Sequence, residues 1–193
     1  MTLFNAIAER RGAGNVAIDA ATVVAASLLL AASAKISMPF YPVPLTMQTF
    51  VVIGLALTLG PWRGLAAVLL YLAEGAAGLP VFAGTPEKGI GLAYMMGPTG
   101  GYLLGYVPAV AIGGWLAAHG WDRSPLRALV AALLSGAVIY VPGLLWLGTV
   151  IGFDKPVLQY GLYPFIFGDV VKAALAAILF PAAWKALDGK AGR

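Results

Sequence analysis

The sequence predicts an all-α integral membrane protein of six transmembrane helices with both termini in the cytoplasm, and three observations carry that prediction. Of the 193 residues, 61% are hydrophobic and only 10% charged, where a soluble domain carries roughly 25% charge, and mean hydropathy is +0.88. Apolar runs recur at about the 17 to 25 residues that a spanning helix requires. The basic residues flank those runs rather than interrupt them, the pattern expected when charge sets membrane orientation. Residues 1–193 read as a single membrane domain.

The elements follow in order. Residues 1–11 place Leu3, Phe4, Ile7 and Ala8 ahead of Arg10 and Arg11, which predicts a short helix lying in the interface. The apolar run beyond is too long for a cleavable signal peptide, and no small-x-small processing site ends it. Spanning helices are expected at about 16–35, 45–59, 63–78, 97–118, 126–150 and 161–186. The second and third are short, about 24 Å each at 1.5 Å per residue, less than the roughly 30 Å hydrocarbon core. They read as arms of one hairpin turning at Gly60-Pro61-Trp62-Arg63-Gly64.

With the N-terminus in the cytoplasm, Arg10, Arg11, Arg63, Arg123, Arg127, Lys185, Lys190 and Arg193 fall inside, and Lys35, Lys88, Lys155 and Lys172 fall outside. Every arginine is then cytoplasmic, as the positive-inside rule requires, and Trp62, Trp121 and Trp184 sit near the inner boundary. The outer connections, 36–45, 79–98 and 152–164, are rich in Gly, Pro and Tyr, whereas the inner ones are short and basic. Binding chemistry is therefore expected to face outward.

Composition also excludes functions. The absence of cysteine removes disulfides, thiolate catalysis and zinc-thiolate sites. One histidine, His119, makes no histidine metal site. The net charge of +4 is explained by topology, so no nucleic-acid partner is expected. No GxxxxGK[ST] element occurs, and Gly84-Thr-Pro-Glu-Lys88 lacks its spacing. His119 lies across the membrane from the other polar candidates, so no enzyme, cofactor or metal is expected.

Asp169 and Lys172, in Phe165-Ile-Phe-Gly-Asp-Val-Val-Lys172, are the leading candidates. Ionisable groups at membrane depth mark functional sites by default, and their spacing places both on one helix face. A self-satisfied ion pair at the interface is the bland alternative. Glu74, in Tyr71-Leu-Ala-Glu-Gly-Ala-Ala-Gly78, either lines a cavity, pairs with Lys88 or Lys172, or snorkels outward. The glycines of Gly78-Leu-Pro-Val-Phe-Ala-Gly84 and of Gly97-Pro-Thr-Gly-Gly-Tyr102, which contains Thr99, allow irregular backbone near a ligand or an ordinary turn. Pro39-Phe-Tyr-Pro-Val-Pro-Leu-Thr-Met-Gln48 is a stiff segment in which Tyr41 serves as a lid and Gln48 as a polar contact, or which merely connects two helices. Tyr140 precedes Pro142, where the fifth helix should kink. Ala17, Ala21 and Ala25 recur every four residues and give the first helix a smooth face for a partner or for internal packing.

Taken in order, Pro42-Val-Pro-Leu-Thr-Met-Gln48, Leu59-Gly-Pro-Trp-Arg-Gly64, Gly78-Leu-Pro-Val-Phe82, Gly97-Pro-Thr-Gly-Gly-Tyr-Leu-Leu-Gly105 and Pro164-Phe-Ile-Phe-Gly-Asp-Val-Val-Lys172 resemble the BioY family, the biotin-capturing S components of energy-coupling factor (ECF) transporters. The resemblance implies a six-helix ECF S-component fold in the cytoplasmic membrane of a prokaryote, with biotin as ligand and a transmembrane coupling subunit and ATPase subunits as partners. It implies that Asp169 meets the ureido N–H groups and Lys172 the ureido oxygen or the carboxylate. Lys88 is the basic residue available before the Gly-Pro-Thr-Gly-Gly element, with the carboxylate as its expected partner. Ala17, Ala21 and Ala25 fit the face that S components turn to the coupling subunit. An S component for another small vitamin and a solitary biotin transporter are the alternatives. An intramembrane enzyme would need a catalytic constellation that the chain does not offer, and a purely structural subunit leaves Asp169 and Lys172 unexplained.

Overall fold

A computed structural model describes residues 1–10 and 16–189. Arg11, Lys190 and Arg193, assigned above to the inner side, lie outside the described residues. The short α1 (Leu3–Arg10) precedes α2 (Val16–Lys35), and the two-residue strands β1 (Ser37–Met38) and β2 (Leu45–Thr46) pair antiparallel. Then come α3 (Gln48–Ala76), α4 (Gly91–Met95), α5 (Gly100–Ala118), a single 3-10 turn (Trp121–Arg123), α6 (Pro125–Ile151), α7 (Val157–Gly161) and α8 (Tyr163–Gly189). Among the described residues, five helices, with α7 and α8 taken together, are long and apolar enough to cross a membrane.

The helix α3 folds back on itself. Gln48 Nε2 donates to the Tyr71 hydroxyl at 2.6 Å, although 23 residues of straight helix would separate them by about 34 Å. The turn is at Gly60, whose φ of 78° and ψ of −173° suit glycine alone, and Pro61 begins the second arm, where its missing N–H is harmless. The predicted hairpin is therefore present, with arms 48–59 and 61–76. Its first arm begins later than predicted because Leu45 and Thr46 pair with Met38 and Ser37 instead. Bonding polar groups within the protein is what an environment without water demands.

Lacking a hydrophobic drive between helices in lipid, packing relies on close approach of small residues. At the centre, α5 has 61% of its apolar window buried, whereas α2 and α8 have 22% each and lie at the periphery. Gly105 shows how close α5 comes to α6: a Cβ there would meet the Ile139 carbonyl oxygen at 2.7 Å and its Cα at 2.9 Å. Tyr71, Val68, Phe82, Val110, Ile139 and Leu147 belong to the main core.

One end of the bundle is tied together by α1. Thr2 lies against Gly60, Leu3 and Ala6 pack with Trp184, and Arg63 joins Asp19 at 2.9 Å and Asn5 at 2.7 Å. The described arginines 63 and 123 therefore share an end with Trp121 and Trp184. At the other end stand the β1–β2 ribbon, the 78–97 connection and the start of α8.

Candidate functional site

The site forms where β2 and the first arm of α3 meet α5, α6 and α8. Residues 165, 169 and 172 recur at four- and three-residue intervals, so helical periodicity aligns Phe165, Asp169 and Lys172 on one face of α8. Lys172 Nζ donates to the Thr46 carbonyl at 3.0 Å and to Thr49 Oγ1 at 2.7 Å, and it bonds Asp169 Oδ1 at 3.3 Å. Thr49 donates in turn to Asp169 Oδ1 at 3.3 Å, and the Tyr140 hydroxyl donates to Asp169 Oδ2. The two side chains are 15% and 18% exposed. Such a pair is more than an interfacial i,i+3 contact, because it joins α8 to α3, β2 and α6.

A cavity of about 40 Å³ opens beside this cluster, with Tyr102, Tyr106, Tyr140 and Phe165 as aromatic walls and Lys172, Thr46 and Thr49 as its polar edge. A second lobe of about 30 Å³ adds Gln48, Tyr94, Thr99 and Ala83. Both lobes share Val43, Pro44, Thr46, Tyr102 and Tyr106, so they form one groove under the 43–46 strap. Asp169 does not line either lobe. It faces an apolar crevice of about 180 Å³ between α6 and α8, where Tyr140 is also a wall.

The second lobe is polar through ordered hydroxyls. Tyr71 donates to the Val81 carbonyl at 3.3 Å while accepting from Gln48, and Tyr94 donates to the Ala83 carbonyl at 2.7 Å. Burial raises the Tyr94 pKa above its ordinary value, opposed by a hydrogen bond with Thr99. The 82–85 backbone is itself held by Lys35, whose Nζ donates to the Phe82 carbonyl at 3.0 Å and to the Thr85 carbonyl and hydroxyl at 3.2 and 3.0 Å.

Of the expected residues, the structure gathers Lys172, Gln48, Thr99 and Tyr140 around the groove, with Asp169 directly behind it. Three others stand apart. Tyr41 is 85% exposed at the tip of the β1–β2 connection, where nothing packs over it, and the strap covers the groove with Val43 and Pro44 instead. Glu74 points toward α2, accepting from Ser27 Oγ at 3.1 Å, with Oε2 buried and unbonded among the described residues; it pairs with neither Lys88 nor Lys172. Lys88 is exposed, its stem lying over Gly84, and lines neither lobe. Ala17, Ala21 and Ala25 are all exposed on α2. Sequence reading missed Thr49, Tyr102, Tyr106 and Phe165, although Tyr102 and Tyr106 stand four residues apart and Phe165 is one turn before Asp169.

The sequence pattern of the BioY family matches residues 8–189. This chain belongs to the BioY family. It is 42% identical over 151 residues to a probable biotin transporter BioY of Pyrococcus horikoshii, covering 78% of this chain and 86% of that one. It is 38% identical over 170 residues to the biotin transporter BioY of Rhizobium etli, covering 84% and 87%. The crystal structure of an S-component for biotin from an ECF-type ABC transporter superposes with a TM-score of 0.72 at 25% identity, covering 88% of this chain and 92% of that one. This BioY-family chain therefore shares the S-component fold as a multi-pass membrane protein. Its family relatives carry the name biotin transporter, which gives the groove between Lys172 and Thr99 a ligand class to be tested.

Proposed function

We propose that this chain captures biotin from outside the cytoplasmic membrane of a prokaryote and holds it in the groove under the 43–46 strap, as the substrate-binding S component of an ECF transporter. The observation that carries this reading is the cluster of Lys172, Asp169, Thr49 and Tyr140 at the edge of an aromatic groove. Biotin is matched to it chemically. Its thiophane ring and chain suit Tyr102, Tyr106 and Phe165, its ureido oxygen or carboxylate suits the Lys172 ammonium, and its ureido N–H groups suit Asp169 once the Tyr140 hydroxyl yields. Ligand sites of this kind are mostly apolar with a few placed polar groups.

In this reading the chain crosses the membrane six times, with the two arms of α3 as two of the crossings and both termini in the cytoplasm. The collection of Arg63 and Arg123 at the end opposite Lys172 supports it. The exposed face of Ala17, Ala21 and Ala25 would receive the transmembrane coupling subunit, with ATPase subunits supplying energy that this chain, a binding subunit rather than an enzyme, does not generate. Membranes containing the chain are expected to retain labelled biotin without ATP. Retention no greater than that of membranes lacking the chain would sink the proposal.

A further inference from the structure

At the end of the bundle opposite the groove, the turn from α5 to α6 encloses a concavity of about 610 Å³ lined by Ala118, His119, Gly120, Arg123, Ser124 and Arg127. We infer that this concavity binds the anionic phosphate headgroup of a membrane lipid. It rests on the membrane placement of the chain and not on the identity of the ligand in the groove.

The cationic side chains converge without a matching countercharge. Among the described residues neither Arg123 nor Arg127 makes a salt bridge, yet both line one depression. Asp122 is the carboxylate next to them in the chain, and it is fully buried with Oδ2 accepting from Trp184 Nε1 at 2.6 Å. Its charge moderates Arg123 from beneath and leaves Arg127 uncompensated.

Two of the three groups are also held in place. The Arg123 guanidinium lies 4.3 Å over the Trp184 ring, an arrangement that restrains a long side chain while leaving its edge donors free. His119 packs on Trp115 with ring centroids 4.3 Å apart, and its Nδ1 donates to the Trp115 carbonyl at 2.8 Å, which fixes the ring at the edge of the concavity. Ser124 makes no side-chain cap. The first backbone bond of α6 runs from Ala128 N–H to the Ser124 carbonyl, so the Leu126 and Arg127 N–H groups precede it and add their dipoles to the same rim.

A phosphate accepts from the two guanidinium groups and the backbone N–H groups at once, and Arg is suited to its geometry. A lipid is the favoured source because Trp115 is 56% exposed beside His119 and supplies the aromatic surface typical of a headgroup boundary. Basic pockets at the cytoplasmic ends of helices hold lipid headgroups in this way.

The test uses the full chain in detergent with dioleoylphosphatidylglycerol or dioleoylphosphatidylcholine, read by native mass spectrometry. The anionic lipid is expected to be retained in preference, with affinity falling about fivefold in Arg127→Gln and about 25-fold in Arg123→Gln/Arg127→Gln, from the usual contribution of a basic residue at a charged membrane surface. The thermal unfolding transition of both variants in detergent is expected to match that of the parent, which shows that they fold. Equal retention of the two lipids, or an unchanged anionic-lipid adduct in Arg127→Gln, would overturn the inference. Displacement of the lipid by millimolar inorganic phosphate would overturn it in favour of a soluble phosphate.

Discussion

Tyr140 stands between Asp169 and the groove, donating its hydroxyl to Asp169 Oδ2 while its ring walls both the groove and the crevice behind it. In the proposed binding mode a ligand N–H takes the position of this hydroxyl, which in the ligand-free protein keeps a half-buried carboxylate bonded. A group left without its hydrogen-bond partner costs about 1 to 3 kcal/mol, so the tyrosine favours the ligand-free protein.

Tyr140→Phe is accordingly expected to lower the thermal stability of the ligand-free protein by about 1 to 3 kcal/mol. It should not weaken biotin binding, because the ureido N–H groups would then meet an unoccupied oxygen. The ring contacts with Tyr102 and Phe165 stay in place. Thermal unfolding with and without biotin checks this, and a loss of affinity as large as that of Asp169→Asn would mean that the tyrosine itself holds the ligand.

Asp169→Asn and Lys172→Gln are each expected to weaken biotin binding at least tenfold, since hydrogen bonds involving a charged group contribute about 1.5 to 3 kcal/mol. The two share Thr49 as a partner, so the double variant should lose less than the sum of the singles. Titration of the three variants with labelled biotin tests the coupling. Strict additivity would show that the pair does not act as one recognition unit.

The sequence made the spans and the Asp169–Lys172 pair legible because both depend on local rules: apolar length, charge placement and helical spacing. The start and end of α2 fall at the expected residues. The hairpin turn was readable because Gly60 followed by Pro61 can scarcely be accommodated in a straight helix. What escaped was contact between distant segments. Nothing near Glu74 announces Ser27, 47 residues away, and nothing near Lys88 says that Lys35, 50 residues before Thr85, already holds that loop. Tyr41 stayed open in the sequence because an aromatic residue among prolines suits a lid tip and an exposed turn equally well.

Lys35 and Lys88 separate on this point. Lys35→Met removes all three Lys35 bonds to the 82–85 segment, two to backbone carbonyls and one to the Thr85 hydroxyl, so amide exchange across 79–90 should quicken and biotin release should accelerate about tenfold, as loss of a charged hydrogen bond implies. Lys88→Ala should change affinity by no more than about twofold, the usual range for an exposed position. Release rates of labelled biotin from the two variants decide it. A tenfold loss in Lys88→Ala would return that lysine to the ligand's carboxylate.

Asp122 carries the pH dependence that the fold builds in at the end of the bundle opposite the groove. Burial raises its pKa above the ordinary 3.8, opposed by the Trp184 hydrogen bond and by Arg123, and its Oδ1 has no hydrogen-bond partner among the described residues. Between 3.8 and the raised folded value, the folded protein holds a proton that the unfolded chain has released, so stability falls as pH rises through that window. Below it both states are protonated and the penalty is absent; above it the penalty is complete. Asp122→Asn keeps an acceptor for Trp184 Nε1 and removes the buried charge. It is expected to be more stable than the parent by about 1 kcal/mol at neutral pH, a modest value among those for buried polar groups, with the gap closing as the pH approaches 4. Thermal unfolding in detergent across that range measures it, and a gap that widens toward acid would show that the carboxylate is stabilised in its charged form.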